Sequence, residues 1–162
     1  MGYTPGAWAT FGGAVAAVAG ALTGLLFVAL SVKGAALSES PTLASRAAQT
    51  LVLFMTSVLT SVMLAAPQSS TAVGGELLGL AAVCGAALLM LDRRAGHTRQ
   101  PGVVRYVERF SPNTITAVLL AVTGASLLVG AGGGLYWLLP SVAASLIGGV
   151  VNAWLFLIHL AT

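Results

Sequence analysis

The sequence predicts an all-α integral membrane protein, a bundle of five transmembrane helices. Three observations lead to this fold class. Of 162 residues, 57% are hydrophobic and only 7% are charged. The apolar residues fall into runs of bilayer-spanning length, and the basic residues cluster in two of the turns between those runs. A soluble domain carries about a quarter charged residues, and a disordered chain combines low hydrophobicity with high charge, so both classes are excluded.

Five segments approach the roughly 20 apolar residues that a helix needs to cross a bilayer, and the whole chain is one domain. The third and fourth are only marginally long enough. Two begin at a Ser-Pro pair, Ser40-Pro41 and Ser111-Pro112, where Ser can cap the helix and Pro suits its first turn. The fifth tolerates Pro140 in its first turn. The predicted spans are residues 8–32, 41–66, 73–91, 112–129 and 137–160.

Charge placement predicts the orientation. Five spans put the first and third turns on one side, and all seven Lys and Arg residues of the chain lie in or beside these turns. Basic turns face the cytoplasm, so we expect the N-terminus outside and the C-terminus inside. The first turn is flanked by Lys33 and Arg46. An outer aromatic belt is expected from Tyr3, Trp8, Tyr136 and Trp137.

The third turn is the longest polar stretch. Val103, Val104, Val107 and Phe110 recur in it at helical spacing, which predicts a short interfacial helix between spans three and four. A solvated linker with snorkelling arginines fits the same residues. In either form the turn is a candidate contact for anionic lipid. Its basic residues are Arg93, Arg94, Arg99, Arg105 and Arg109.

Small residues recur at four-residue spacing on the first and fifth spans. Helix backbones approach closely through such positions in a bilayer, where no hydrophobic force drives helices together. Packing within the bundle is the first interpretation, and association of copies of the chain is the alternative. The candidates are Gly12, Ala16, Gly20 and Gly24 on the first span, and Ser145 and Gly149 on the fifth.

The second span is the most polar. Its hydroxyls can bond to the carbonyl four residues earlier without any function, whereas the amides of Gln49 and Asn152 need partners on other helices. Interhelical hydrogen bonding is the first interpretation, and a solute pathway is the alternative. The candidate residues are Gln49, Thr56, Ser57 and Thr60, with Asn152 from the fifth span.

Charge and cysteine content argue against several chemistries. No charged residue lies in the middle of a span, although ion-coupled transporters generally carry one. Glu76 could form an outer ring of carboxylates in an oligomer, but an ordinary acid favoured by the helix dipole is the simpler interpretation. The single cysteine, Cys84, leaves no multi-thiolate zinc site. We therefore expect no metal, no cofactor, no nucleic-acid partner and no enzymatic activity.

Four stretches carry a family resemblance: residues 27–32, residues 40–51, Pro67-Gln68-Ser69 and Gly75-Glu76-Leu77. The first 90 residues resemble small multi-pass bacterial membrane proteins of actinobacterial type, some identified as modulators of the membrane protease FtsH. Members often carry Glu where Gln49 stands here. The resemblance implies a location in a bacterial inner membrane, but no substrate, cofactor or catalytic residue.

Two function classes fit the sequence. The first is a non-catalytic accessory or regulatory component of a larger membrane complex, which uses the small-residue helix faces and the basic turn. The second is a homo-oligomeric pore or passive carrier for ions or small solutes, lined by the Ser/Thr/Gln face of span two. The absence of charge within the spans favours the first class.

Overall fold

A computed structural model describes residues 2–32, 40–94 and 112–159 of the chain. These residues form five long helices and no strand, and each helix is long and apolar enough to cross a membrane. The predicted five-helix architecture is therefore confirmed. Short 3-10 helices, Pro5–Trp8 and Gly134–Trp137, precede the first and the last. The long helices are α1 (Ala9–Val32), α2 (Pro41–Ala65), α3 (Ser70–Arg94), α4 (Pro112–Val129) and α5 (Leu138–His159).

The start of α3 and the capping of α2 differ from the sequence-based expectation. Helix α3 begins at Ser70 rather than residue 73, because Ser69 caps it: the backbone N–H of Ala72 donates to Ser69 Oγ at 3.2 Å. The apolar run begins later than the cap, so hydropathy alone misses this turn. Ser40 occupies the N-cap position of α2, but its side chain makes no capping bond. Its extended backbone is the conformation that the following proline imposes.

Helix α2 lies at the centre of the packing. It contacts α1, α3 and α5, while α4 packs against α3 and α5 and closes a four-helix ring. Helix α1 lies outside this ring against α2. In the most apolar stretch of each helix, 56% of residues are buried in α2 and only 22% in α1. The chain is thus a four-helix ring with one peripheral helix.

Glycine sets the closest helix approaches. At the crossing of α3 and α4, a Cβ added to Gly124 would lie 2.7 Å from the carbonyl oxygen of Gly74. Where α1 meets α2, a Cβ on Gly12 would lie 3.2 Å from the Ser61 carbonyl oxygen. No larger residue fits the α3–α4 crossing without moving a backbone, so the Gly74–Gly124 pair determines the distance between these two helices.

The N-terminus is fixed to the turn between α4 and α5. Four glycines of residues 130–134 have positive φ, up to 107° at Gly133, which L-residues rarely adopt. The turn offers its N–H groups to the N-terminus: Leu135 N donates to Gly2 O at 2.7 Å. The rings of Trp8 and Tyr136 meet edge to face at 5.3 Å. Four aromatic residues expected in one belt, Tyr3, Trp8, Tyr136 and Trp137, accordingly lie at one end of the bundle.

Candidate functional site

The polar face of α2 points into the ring of helices and is used in hydrogen bonds. Thr56 is 3% exposed; its hydroxyl donates to Val52 O at 2.7 Å and lies 3.1 Å from the Cys84 sulfur of α3. Ser61 donates to Ser57 O at 2.8 Å. These hydroxyls follow the pattern in which a side chain bonds the carbonyl one turn earlier.

Two serines of α5 complete this polar interior. Ser145 Oγ donates to Leu53 O of α2 at 2.6 Å and shares a 3.0 Å hydrogen bond with Ser57 Oγ. Because the single proton of Ser145 is used on Leu53, Ser57 is the donor to Ser145. One turn earlier, Ser141 donates to Thr116 O of α4 at 3.2 Å. The serines therefore join three helices of the ring.

The remaining candidates of the polar set differ in burial. Gln49 and Thr60 are buried, at 7% and 2% exposure, and Gln49 has a bonding partner. Asn152 is half-buried on the last turns of α5. The structure therefore places Thr56, Ser57 and Thr60 inside the ring, while Asn152 lies partly at its edge.

Two polar atoms of α4 are buried without a hydrogen-bond partner among the described residues: Asn113 Oδ1 and Thr116 Oγ1. Sequence analysis did not single them out, since a Thr or an Asn near a helix start is unremarkable in composition. Their spacing in the sequence could have indicated that the two side chains lie together, because residues three apart share one helix face. An unpaired buried polar atom costs about 1–3 kcal/mol, so this pair is a local weakness of the ring.

One depression in the described surface is almost wholly apolar. A cavity of about 220 Å³ lies between α1, α2 and α5. Helix α2 contributes Phe54 to it and none of its hydroxyls. No group of three or more His, Cys, Asp or Glu residues that could hold a metal occurs in residues 2–32, 40–94 and 112–159.

The small-residue stripe predicted on α1 is divided between two environments. Gly12 packs on α2 and Ala16 is half-buried, but Gly20 and Gly24 have nothing within 4 Å of an added Cβ. A four-residue step turns 400° around a helix, so a stripe of three such steps drifts by about 120°. The buried face instead combines steps of three and four residues. It consists of Gly12, Val15, Ala19, Thr23 and Leu26.

The small residues of α5 pack within the bundle. A Cβ on Gly149 would overlap the ring of Phe54, and one on Gly148 would overlap Pro112. Ser145 is bonded to α2 as described. The two fifth-span candidates, Ser145 and Gly149, therefore both contact α2, and Gly148 beside them contacts α4; both contacts are packing within the bundle.

Glu76 lies in the second turn of α3, because the helix begins at Ser70 and has no acid in its first turn. The dipole explanation is therefore wrong, since that effect fades beyond the first turn. Its exposed carboxylate instead accepts a hydrogen bond from Gln68 Nε2 at 2.9 Å. This bond fixes the α2–α3 loop to α3.

The predicted lipid-contact arginines are only partly described. Arg93 is exposed near the end of α3, and Arg94 is the last residue of that helix. Arg99, Arg105, Arg109 and the interfacial helix expected between spans three and four lie outside the described residues.

No family model, no curated protein and no solved structure matches the chain.

Proposed function

We propose that the protein is a non-catalytic accessory component of a membrane complex, which binds its partner through the outer faces of α1 and α3. The observation that carries this proposal is the difference in side-chain size between the outward faces of the helices. Helix α1 turns Gly13, Ala17, Gly20 and Gly24 away from the bundle, and α3 turns out Gly75, Gly79, Ala82 and Ala86.

The outward faces of α4 and α5 are bulky by comparison. Val118 and Val122 of α4 and Ile147 and Val150 of α5 are between 38% and 65% exposed. Lipid chains accommodate bulky apolar side chains readily, whereas a smooth face of glycine and alanine lets another helix approach closely. Helices α1 and α3 also expose bulky side chains, such as Leu25 and Val83, but on each of them the four small residues form one stripe with steps of four, three and four residues. These two stripes support two contact faces for partner helices. The resemblance to modulators of FtsH suggests a membrane protease as the partner class.

A pore lined by α2 receives less support. The hydroxyls of Thr56 and Ser57 point into the ring and are used in hydrogen bonds between or within helices. A pathway along them would have to open the contact between α2 and α5, where Ser145 bonds both Leu53 and Ser57.

Site-specific photo-crosslinking in native membranes tests the proposal. A photoreactive residue at position 17 should give one dominant adduct with a different membrane protein, and Gly20→Leu or Gly24→Leu should abolish it. The matched control is a photoreactive residue at position 143, on the bulky outward face of α5. An adduct of twice the chain mass would contradict the accessory function and support the oligomeric alternative. A pattern of lipid adducts alone would also refute it.

A further inference from the structure

Helix α1 carries two stripes of small residues side by side. Both have steps of four, three and four residues, and one is displaced from the other by one residue, which is a rotation of about 100° around the helix axis. The inward stripe is buried or half-buried and consists of Gly12, Ala16, Ala19 and Thr23. The outward stripe is exposed and consists of Gly13, Ala17, Gly20 and Gly24.

Close packing alone does not determine which stripe faces α2. Small residues let helix backbones approach in a bilayer, and the outward stripe has three glycines where the inward stripe has one. After a rotation by one residue, Phe27 would replace Leu26 on the buried face, and both are large and apolar. The hydroxyls of Thr23 and Ser31 bond carbonyls of α1 itself, so neither bond joins α1 to α2.

The segment before α1 has contacts that do distinguish the two rotations. Two hydrogen bonds join residues 2–8 to the turn between α4 and α5. The backbone N–H of Leu135 donates to Gly2 O at 2.7 Å, and that of Gly133 donates to the Tyr3 hydroxyl at 2.9 Å. A Cβ added to Gly2 would lie 2.8 Å from the Gly133 carbonyl oxygen, so a larger residue there would displace the segment from the turn.

A third contact couples this segment to the rotation of α1. Trp8 directly precedes the helix, and its ring meets that of Tyr136 edge to face at 5.3 Å. A side chain about 5 Å from the helix axis moves by about 8 Å when the helix rotates by 100°. Such a rotation would separate the two rings and pull Gly2 and Tyr3 away from the turn. We term the two hydrogen bonds and the ring contact the N-terminal clasp.

We propose that the N-terminal clasp sets the rotation of α1, so that the inward stripe packs on α2 and the outward stripe faces a partner helix. Its members are positioning residues, which act through the rotation of α1. The control of rotation depends only on contacts within the chain. The consequence for partner binding rests on the accessory function proposed above.

Disulfide formation between α1 and α2 in native membranes measures the rotation, in the full chain with Cys84 replaced by alanine. A Cβ on Gly12 lies 3.2 Å from Leu64 Cβ, near the separation of about 3.5–4.5 Å found in disulfides. Gly12→Cys with Leu64→Cys should therefore cross-link on oxidation. The matched pair is Gly13→Cys with Leu64→Cys, which should cross-link much less, because nothing lies within 4 Å of a Cβ on Gly13.

Variants of the clasp should change the ratio of the two disulfides. Gly2→Val should lower the ratio of the Gly12 cross-link to the Gly13 cross-link about tenfold, as expected for the loss of two hydrogen bonds. Tyr3→Phe removes one of these bonds and should shift the ratio less in the same direction, which keeps the test decisive if Gly2→Val fails to fold. The control is Gly6→Val in the same segment, where an added Cβ meets nothing within 4 Å. It should keep the wild-type ratio.

An unchanged ratio in the folded clasp variants would overturn the proposal even if their melting temperature falls, because a contact that only stabilises α1 does not alter its rotation. Equal cross-linking of both pairs in the otherwise unaltered chain would overturn it as well. The partner adduct at position 17 should fall together with the ratio in Gly2→Val. If the ratio shifts but position 17 gives no partner adduct even without Gly2→Val, the clasp is supported and the accessory function is refuted.

Discussion

Helices α1 and α5 pack against the same central helix by different means. Helix α5 is joined to its neighbours by hydrogen bonds, from Ser145 to Leu53 O at 2.6 Å and from Ser141 to Thr116 O at 3.2 Å. The buried hydroxyl of α1, Thr23, bonds only its own helix, donating to Ala19 O at 2.7 Å. Helix α1 is therefore held by close packing, whereas α5 is held by close packing together with interhelical hydrogen bonds.

This difference distinguishes α5, which is fixed within the bundle, from α1, which is available to bind a partner helix. Lipid is as apolar as the helices, so association in a bilayer depends on close packing and interhelical hydrogen bonds. Helix α5 has both, while α1 has close packing along one face that begins at Gly12. The rest of α1 is exposed to lipid. An α1 that presents a second smooth face suits a helix with partners on two sides.

The largest effect is expected from a bulky residue at Gly149. Gly149→Leu would place its side chain in the ring of Phe54, and overpacking of this kind costs about 1–3 kcal/mol. Unfolding in sodium dodecyl sulfate, followed by tryptophan fluorescence, measures the free energy of unfolding. The mass of the folded species should not change.

Gly20→Leu is the matched comparison, since nothing lies within 4 Å of an added Cβ there. Its free energy of unfolding should stay within about 0.5 kcal/mol of the wild type, as is usual for a surface position. Equal destabilisation by the two substitutions would show that α1 presents Gly20 to the bundle, which would contradict the orientation described for α1.

The next expected effect is an increase in the free energy of unfolding, opposite in sign to that at Gly149. Thr116→Val removes a buried hydroxyl that finds no hydrogen-bond partner in the described part of the chain and keeps the side-chain shape, so we expect a gain of about 1 kcal/mol. The backbone carbonyl of Thr116 still accepts its bond from Ser141 of α5. Unfolding in the same detergent titration measures the gain.

Thr123→Val on the same helix is the control. Thr123 is 0% exposed, but its hydroxyl donates to Leu119 O at 2.8 Å, so its replacement should bring no comparable gain. If Thr116→Val lowers the free energy of unfolding, its hydroxyl has a partner such as an ordered water. The polar interior would then be hydrated.

The sequence allowed the helices to be predicted better than their faces. Apolar run length and prolines locate the spans, and α4 has the predicted bounds of residues 112–129. Helix α3 begins earlier than predicted, because Ser69 caps it and the polar residues that follow join the helix through this cap and not through hydropathy. Its other end lies at Arg94 rather than residue 91. The length of a helix depends on local features of the chain, so it can be predicted from a single sequence.

Contacts between helices could not be predicted in the same way. Nothing in the sequence shows that Gly149 meets Phe54, or that Gly74 meets Gly124, because helix rotation depends on all the helices of the bundle together. The small drift of a four-residue repeat was enough to place Gly12 and Gly24 in different environments. The hydroxyls of α2 can be seen as a set in the sequence, but their partners Ser145 and Cys84 come from helices far along the chain.

A smaller loss is expected from Ser145→Ala. The substitution removes the bonds to Leu53 O and Ser57 Oγ, and interhelical hydrogen bonds in membranes average about 0.6 kcal/mol. We expect a loss near that value in the detergent unfolding titration. A Ser57→Ala, Ser145→Ala double variant should lose less than the sum of the two single variants, because the pair shares one bond. Additive losses would contradict that shared bond.

The smallest effect is expected at Thr23, the corresponding buried hydroxyl of α1. Thr23 is 7% exposed and bonds the carbonyl of Ala19, which also accepts the backbone bond of the helix. Thr23→Val keeps the shape and leaves no polar atom unpaired, so the free energy of unfolding should change by less than about 0.5 kcal/mol. If Thr23→Val instead costs as much as Ser145→Ala, Thr23 bonds α2 across the interface. Helix α1 would then be fixed by polar contacts like α5, and its role as the available helix would lose its physical basis.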